Sequence, residues 1–337
     1  MTRVGIVGCT GYTAIEAINL LLRHPDVEIS TATSRQADGS LLSDLHPQFA
    51  GQTGVRVENL DAKQIAGVCD VALCCLPHAA SAPIVAEILN AGTKVIDLSA
   101  DYRLSSQALY ERWYEVEHVD AGRLGHTPYG LPELFREQIR GADLIANPGC
   151  YPTSAILPLA PLVQQGLVHT DSVIVDSKSG VSGAGRSPKL NTLYAEANES
   201  FSAYGVGTHR HQPEIVDIVQ RYTSVSPSII FTPHLVPMDR GILSTIYVRP
   251  TDGTQVEQIH SALSAFYQDE PFVRVNQHLP KTKFVSQTNY CDIAVRQNGD
   301  WIVLLSAIDN LIKGASGAAV QCLNLMFGFD ETTALIG

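Results

Sequence analysis

Three glycines spaced three apart, Gly5, Gly8 and Gly11, lie where an apolar strand pattern, Arg3 to Val7, gives way to a helical pattern, Ala14 to Arg23. A turn this short needs residues without side chains, and it commits the chain to a strand followed directly by a helix that covers it. On that helix Ile15, Ile18 and Leu22 mark the expected buried face. The alternation then repeats. Val27 to Ala32, Val71 to Leu76, Lys94 to Leu98 and Leu144 to Ala146 read as further strands, with a helix from Ala82 to Ala91. Strands alternating with helices imply a mostly parallel sheet covered on both faces.

The texture changes after Cys150. Ser172 to Lys178, Ser228 to His234, Gly241 to Arg249, Asp292 to Gln297 and Trp301 to Ala307 read as longer strands rich in β-branched residues, which predicts a second, α+β domain with a mixed or antiparallel sheet. Gly314 to Phe327 reads as a buried helix carrying Ala319, Cys322, Leu323 and Met326. A chain of 337 residues suits two domains, each of about 150 residues. The boundary near residue 148 follows from the change of pattern alone.

Composition bears on partners. A net charge of −11 argues against nucleic acid or an anionic membrane as the main partner, and it obliges any anionic ligand to find a local positive pocket. The seven cysteines are odd in number and lack the spacing of a disulfide framework or a zinc cluster, which suits a reducing cytosol. Met1 leads straight into a strand pattern, and no run is long and apolar enough to span a bilayer, so a soluble cytoplasmic protein is expected.

The glycine turn opens a helix whose first amides suit a pyrophosphate, although a plain tight turn would use the same residues. An NAD site wants an acid about 20 residues beyond the glycines. Here the second strand ends Thr31-Ala-Thr-Ser34-Arg35 without a carboxylate. Ser34 and Arg35 suit a 2′-phosphate, the alternative being a solvated arginine, and the missing acid favours NADP.

Asn147-Pro-Gly-Cys150-Tyr-Pro-Thr153 places Cys150 at a helix start, where the dipole and free amides favour the thiolate that attacks acyl carbon. The other six cysteines lie in apolar or strand-like settings and read as small hydrophobes. An acid/base partner is expected in His209-Arg-His211-Gln-Pro213-Glu214. Pro213 suits the first helical position, His211 then stands just before the helix, and Glu214 is near enough to orient a histidine. A zinc site on the histidine pair lacks a third ligand at a recognisable spacing. The run from Ser177 to Lys189, with Gly180, Gly183, Gly185 and Arg186, reads either as an anion nest for a substrate phosphate or as a mobile loop. Arg103 reads either as a clamp for a substrate carboxylate or as an ion-pair partner of Asp97 or Asp101.

Taken in order, these stretches resemble the N-acetyl-γ-glutamyl-phosphate reductase family of arginine biosynthesis. The resemblance runs from Gly5-x-x-Gly-x-x-Gly11-Tyr-Thr to Asn310-Leu-Ile-Lys313-Gly-Ala-Ser-Gly317. It includes Leu76-Pro-His78, Asp97-Leu-Ser-Ala-Asp-Tyr-Arg103, Tyr129-Gly-Leu-Pro-Glu133, the Cys150 stretch, Lys178 to Gly185, the His209 stretch, and Thr232-Pro-His-Leu-Val-Pro237-Met-x-Arg240-Gly241. Ser154 and Ser316 depart from the family's usual small residues. The resemblance implies a Rossmann-type dinucleotide-binding domain, residues 1–148 and 314–337, completed by the C-terminal helix. It also implies an α+β catalytic and oligomerisation domain, residues 149–313, as in semialdehyde and glyceraldehyde-phosphate dehydrogenases.

The implied chemistry is NADPH-dependent reduction of an acyl phosphate through a thioester on Cys150, with His211 or His209 as acid/base and Glu214 beside them. Phosphate is expected to leave into the Gly180 to Arg186 loop, and backbone amides at the helix start to hold the oxyanion. Expected cofactor contacts are Gly8, Thr10, Gly11, Tyr12, Thr13, Ser34, Arg35, Pro77, Ser182, Gly183, Asn310, Lys313 and Gly314. Expected substrate contacts are Arg103, Ser179, Gly180, Arg186 and Tyr204. No metal is expected, and the family resemblance implies a homotetramer or homodimer. Alternatives are an aspartyl-phosphate reductase, an aminoadipyl-phosphate reductase acting on a carrier protein, and a non-catalytic NADP-binding sensor.

Overall fold

The computed structural model describes residues 1–336, which fall into two units: Met1–Pro148 with the segment from Ala315 onward, and Gly149–Gly314. In the first unit, β1 (Thr2–Val7), β2 (Val27–Thr33), β3 (Val57–Glu58), β4 (Val71–Cys74), β5 (Lys94–Asp97) and β6 (Leu144–Ala146) form one parallel sheet in the order β3-β2-β1-β4-β5-β6. This is the doubly wound Rossmann order, whose ligands bind beyond the carboxyl ends of the central strands. All four residues of β4 are buried, as befits a strand covered on both faces. β3 has only two residues, too few for any alternation to be legible in sequence.

The helix Tyr12–Leu21 buries Ala14, Ala17, Ile18 and Leu21, while Ile15 and Leu22 are half-buried. Its core stripe is therefore rotated from the expected Ile15, Ile18 and Leu22. Alanines at two inner positions let the helix axis approach its neighbours closely. The C-terminal helix Gly317–Phe327 is buried from Gly317 through Met326 and packs on the helices Tyr12–Leu21 and Pro132–Ile139. It starts three residues later than expected because a π-helical turn, Ile312–Ser316, precedes it. Fully buried Gln321 donates to Glu133 at 3.2 Å and to Glu331 at 2.8 Å, and Arg136 pairs with Glu331 at 3.0 Å, so the polar groups on this helix are matched where water is excluded.

In the second unit, β7 (Val173–Gly180), β8 (Ser202–Ala203), β9 (Ile229–Val236), β10 (Ile242–Val248), β11 (Val273–Val275), β12 (Cys291–Asn298) and β13 (Trp301–Ile308) form a mixed sheet in the order β11-β12-β13-β10-β7-β9-β8. β7 runs parallel to β9 and β11 to β12, and the other pairs are antiparallel. Burial alternates along β7, β9 and β10, so one face is core and the other is half-open. The helices Cys150–Gln164 and Val256–Phe266 pack with these strands, and His211–Thr223 packs on both Cys150–Gln164 and β9. Ser244 on β10 lies in that core, bonded to Ser154 at 2.7 Å and to Ser177 at 2.6 Å. Among the described residues no helix is long and apolar enough to cross a membrane.

Candidate active site

In the first unit the glycine turn is shaped by close packing. Gly8 has φ +85°, and a Cβ there would stand 2.9 Å from the Leu76 side chain and 3.0 Å from the Cys75 carbonyl oxygen. Both facts demand glycine. Its amide is not aimed at a ligand, since the Gly8 and Cys9 amides donate to the Thr33 carbonyl at 3.2 and 3.0 Å. Gly8 thus contributes shape rather than a phosphate donor. Gly11 is the N-cap of Tyr12–Leu21, without a side-chain cap or an acid in the first turn, so the amides of Tyr12 and Thr13 have no intrahelical partner. The Thr13 carbonyl accepts the Ser316 hydroxyl at 2.7 Å. Thr10 is half-buried in the turn, and Pro77 is exposed beyond β4.

At the end of β2 the Ser34 amide donates to the Glu58 carbonyl, and the Ser34 hydroxyl accepts the Gln36 amide. Arg35 is exposed and makes no hydrogen bond or ion pair among the described residues. A cradle that only glycine fits, first-turn amides without intrahelical partners and an unengaged guanidinium suit a dinucleotide with an extra phosphate.

In the second unit Cys150 is the first residue of the helix Cys150–Gln164, with Gly149 as N-cap and no acid in the first turn. The Gly149 amide donates to the Glu214 carboxylate at 2.9 Å. Glu214, expected to orient a histidine, therefore holds the turn before Cys150. Pro152 has no amide hydrogen to offer at this helix start. A Cβ on Gly314 would lie 2.8 Å from the Cys150 Cβ, so this glycine gives Cys150 its space.

Four other thiols are poor nucleophiles. Burial pushes Cys9 and Cys69 up to about 11 and Cys75 up to about 12, and holds Cys74 well above the usual thiol range, so the thiolate is scarce at each.

The helix His211–Thr223 begins at His211 itself, and Pro213 occupies its third position instead of the expected first. Proline is tolerated there because that amide would have no intrahelical acceptor. The His211 amide donates to the His209 Nδ1 at 3.1 Å, and the two ring centroids are 4.8 Å apart. His209 is walled by Tyr151, Tyr204 and Phe231, with centroid separations of 5.7, 5.3 and 5.4 Å. Burial, with the nearby Arg210 charge, pushes His209 down to about 4. Tyr204 donates to the Tyr151 hydroxyl at 3.1 Å. Burial raises both phenols, and the charge of Cys150 adds to each shift, which places them within its field.

The glycine-rich loop is not an open nest. Gly180, Val181 and Ser182 donate their amides to the carbonyls of Gly241, Met238 and Asp239. A Cβ on Gly180 would meet the Asp239 carbonyl at 2.7 Å. These amides cannot receive a phosphate as expected, because the crossing turn already uses them. Gly183 is exposed, with its missing Cβ facing the Ser179 hydroxyl, which itself donates to the Gly180 carbonyl. Arg186 is exposed beyond it.

Three other expected contacts have structural partners. Asn310 accepts the Gly241 amide at 2.6 Å and donates to the Ser182 hydroxyl at 3.0 Å. Lys313 is fully buried with its ammonium 5.6 Å from the Phe272 ring centroid. Arg103, in the first unit, donates to the carbonyls of Asn147 at 2.7 Å and Leu98 at 2.9 Å, and its side chain is buried. These contacts brace the chain leading to Cys150 with a buried guanidinium. Asp101 caps the helix Ala82–Asn90 through the Ala79, Ser81 and Ala82 amides, and Asp97 takes the Ser81 and Ser99 hydroxyls.

Sequence patterns gave no sign of Thr33, whose carbonyl holds the glycine turn, or of Asp309. Asp309 accepts the Leu311, Ile312 and Gln287 amides and pairs with Arg240 at 3.1 Å. The Asp-x-x spacing at 309–312 is a local signal for the first two bonds.

Both parts of the chain match family models, residues 3–142 the semialdehyde dehydrogenase NAD binding domain and residues 150–310 the semialdehyde dehydrogenase dimerisation domain. The fold is shared with aspartate semialdehyde dehydrogenase II of Vibrio cholerae, at TM-score 0.72 and 20% identity over 96% of this chain and 98% of that one. It is shared also with the Candida albicans aspartate semialdehyde dehydrogenase solved with NADP, at TM-score 0.69 and 17% identity over 96% and 98%. A parallel dinucleotide sheet, a mixed sheet and a cysteine opening a helix define a semialdehyde-dehydrogenase-type oxidoreductase.

Sequence identity narrows the class. A protein of Rhodopirellula baltica named N-acetyl-gamma-glutamyl-phosphate reductase is 57% identical over 99% of this chain and 98% of its own length, and one of Desulforudis audaxviator with the same name is 49% identical over 100% and 98%. The chain belongs to the N-acetyl-γ-glutamyl-phosphate reductase family.

Proposed function

We propose that this protein reduces N-acetyl-γ-glutamyl phosphate to N-acetylglutamate 5-semialdehyde and phosphate, with NADPH as reductant, in the cytoplasm. The observation that carries the mechanism is Cys150 opening a helix on a turn held by Glu214, while burial raises Cys9, Cys69, Cys74 and Cys75.

The Cys150 sulfur attacks the γ-acyl carbon, His211 takes the thiol proton, and the amides of Cys150 and Tyr151 receive the oxyanion. The C–O bond to phosphate then breaks and leaves a thioester. When bound, the nicotinamide cofactor supplies the hydride that reduces this thioester. As the C–S bond breaks, His211 returns its proton to the sulfur and the aldehyde departs. His211 suits this role better than His209, because a base pushed down to about 4 is a weak proton acceptor at neutral pH. Tyr12 and Thr13 would hold the pyrophosphate and Arg35 the 2′-phosphate. Tyr204 and Arg186 remain candidates for substrate contact.

We place the subunit contact of a homodimer or homotetramer on the half-open face of the second sheet. Ile174, Tyr247, Trp301 and Val303 line a depression there, and Ile230 is 62% exposed on the same face.

The test follows nicotinamide absorbance with NADP+, phosphate and N-acetylglutamate semialdehyde, beside aspartate semialdehyde, for wild type and Cys150→Ala. Phosphate-dependent turnover of the acetylated substrate alone, abolished in the variant, is the expected result. Near-wild-type turnover by Cys150→Ala would overturn the thioester mechanism.

A further inference from the structure

We propose that His46 is a positioning residue for the pyrophosphate turn, acting through the carbonyl of Cys9. The inference rests on the cofactor reading above and adds to it a residue far from any glycine motif. His46 follows the short helix Leu42–Leu45 and is 2% exposed. Its Nε2 lies 2.8 Å from the Cys9 carbonyl oxygen. A carbonyl can only accept, so Nε2 carries the proton. The His46 amide donates to Leu42, its carbonyl accepts the Phe49 amide, and its ring meets Phe49 edge-on at 6.1 Å. The imidazole is thus fixed before any ligand arrives.

Cys9 is gripped at both ends, its amide by the Thr33 carbonyl and its own carbonyl by His46. The Cys9–Thr10 peptide is planar and trans. Turning its carbonyl toward His46 therefore turns the Thr10 N–H edge the opposite way and sets the entry into Gly11 and the helix Tyr12–Leu21. A rotated plane would instead offer a carbonyl oxygen, with its negative end, to an anionic pyrophosphate. Thr33 and His46 select the orientation in which the turn presents amide hydrogens.

The experiment titrates NADPH and adenosine 2′-monophosphate, which lacks the pyrophosphate, into the full chain as wild type, His46→Phe and His46→Gln. Loss of one positioning hydrogen bond predicts that His46→Phe binds NADPH about ten-fold more weakly. Binding of adenosine 2′-monophosphate should not change, and glutamine, which keeps a donor, should restore most of the loss. The KM for NADPH should rise in step while kcat at saturating NADPH stays near wild type. Unchanged NADPH affinity, or equal weakening of both ligands, overturns the proposal. Should His46→Phe fail to fold, the 15N-histidine spectrum of the wild type decides. An Nε2 proton protected from exchange and shifted by NADPH but not by adenosine 2′-monophosphate supports the role, and one shifted by neither overturns it. A wild type that binds neither nucleotide overturns the cofactor reading itself.

Discussion

The carboxylate of Glu214 accepts the amide hydrogen of Gly149 at 2.9 Å, so the helix that starts with His211 also holds the turn that presents Cys150. The acceptor is 1% exposed, so no water stands ready to replace it. Glu214→Ala leaves a buried amide unmatched and frees the turn. Displacement of a nucleophile by about an ångström costs about a hundred-fold in rate. A fall of that order in kcat is expected, with NADPH affinity unchanged and slower alkylation of Cys150 by iodoacetamide. Glu214→Gln keeps an acceptor oxygen and should recover much of the rate. Wild-type kcat in Glu214→Ala would show that the turn holds itself.

Gly314→Ala tests the packing around the nucleophile. Its new methyl would lie 2.8 Å from the Cys150 Cβ and 3.2 Å from the Cys150 Cα, and backbone yields little. A loss of about 1–3 kcal/mol in stability is expected from overpacking, together with a large fall in kcat. Gly183→Ala is the control, because its methyl meets the tip of Ser179, which can rotate. Denaturant unfolding and thiol titration of the two variants should separate them clearly.

His209 predicts a pH dependence of stability. The native state holds it near 4, whereas an unfolded chain protonates histidine at about 6.5. As pH falls between these values the unfolded state binds more protons, so stability is lost, and above about 6.5 it is fully present. His209→Gln should flatten this slope. Urea midpoints at about pH 7.5 and about pH 5 measure it, and an equal acid loss in both proteins would assign the slope to another group.

The buried hydroxyl chain Ser154–Ser244–Ser177 predicts an asymmetry. Ser244→Ala removes the middle member and strips the buried Ser177 hydroxyl of its bond, at about 1–3 kcal/mol, while Ser154 keeps its bond to the Tyr151 carbonyl. Ser154→Ala leaves the 2.6 Å pair of Ser177 and Ser244 intact and should cost less. Equal losses by urea unfolding would mean that the chain does not act as a unit.

Most of the architecture was legible because it depends on neighbours in sequence. The strand–helix alternation, the change of texture after Cys150 and the placement of Cys150 at a helix start all rest on local periodicity and turn chemistry. The two-residue strands β3 and β8 were illegible for the same reason, since they exist only through their partners β2 and β9. Ile15 and Ile18 looked equivalent on the helical pattern, yet only packing decided that Ile18 is core and Ile15 half-buried.

The sequence alone determined which residues carry reactive groups and which turns must be glycine. Tertiary structure decided which groups are still available. The amides of Gly180, Val181 and Ser182 looked like an anion nest, but the turn from Met238 to Gly241 takes all three. Arg103 carried no local sign that its guanidinium braces the carbonyls of Asn147 and Leu98. His46 carried no signal, and it grips Cys9 from 37 residues away. A buried amide hydrogen usually satisfies a single acceptor. Which acceptor takes it depends on segments brought together only by burying the core, and no local pattern records that choice.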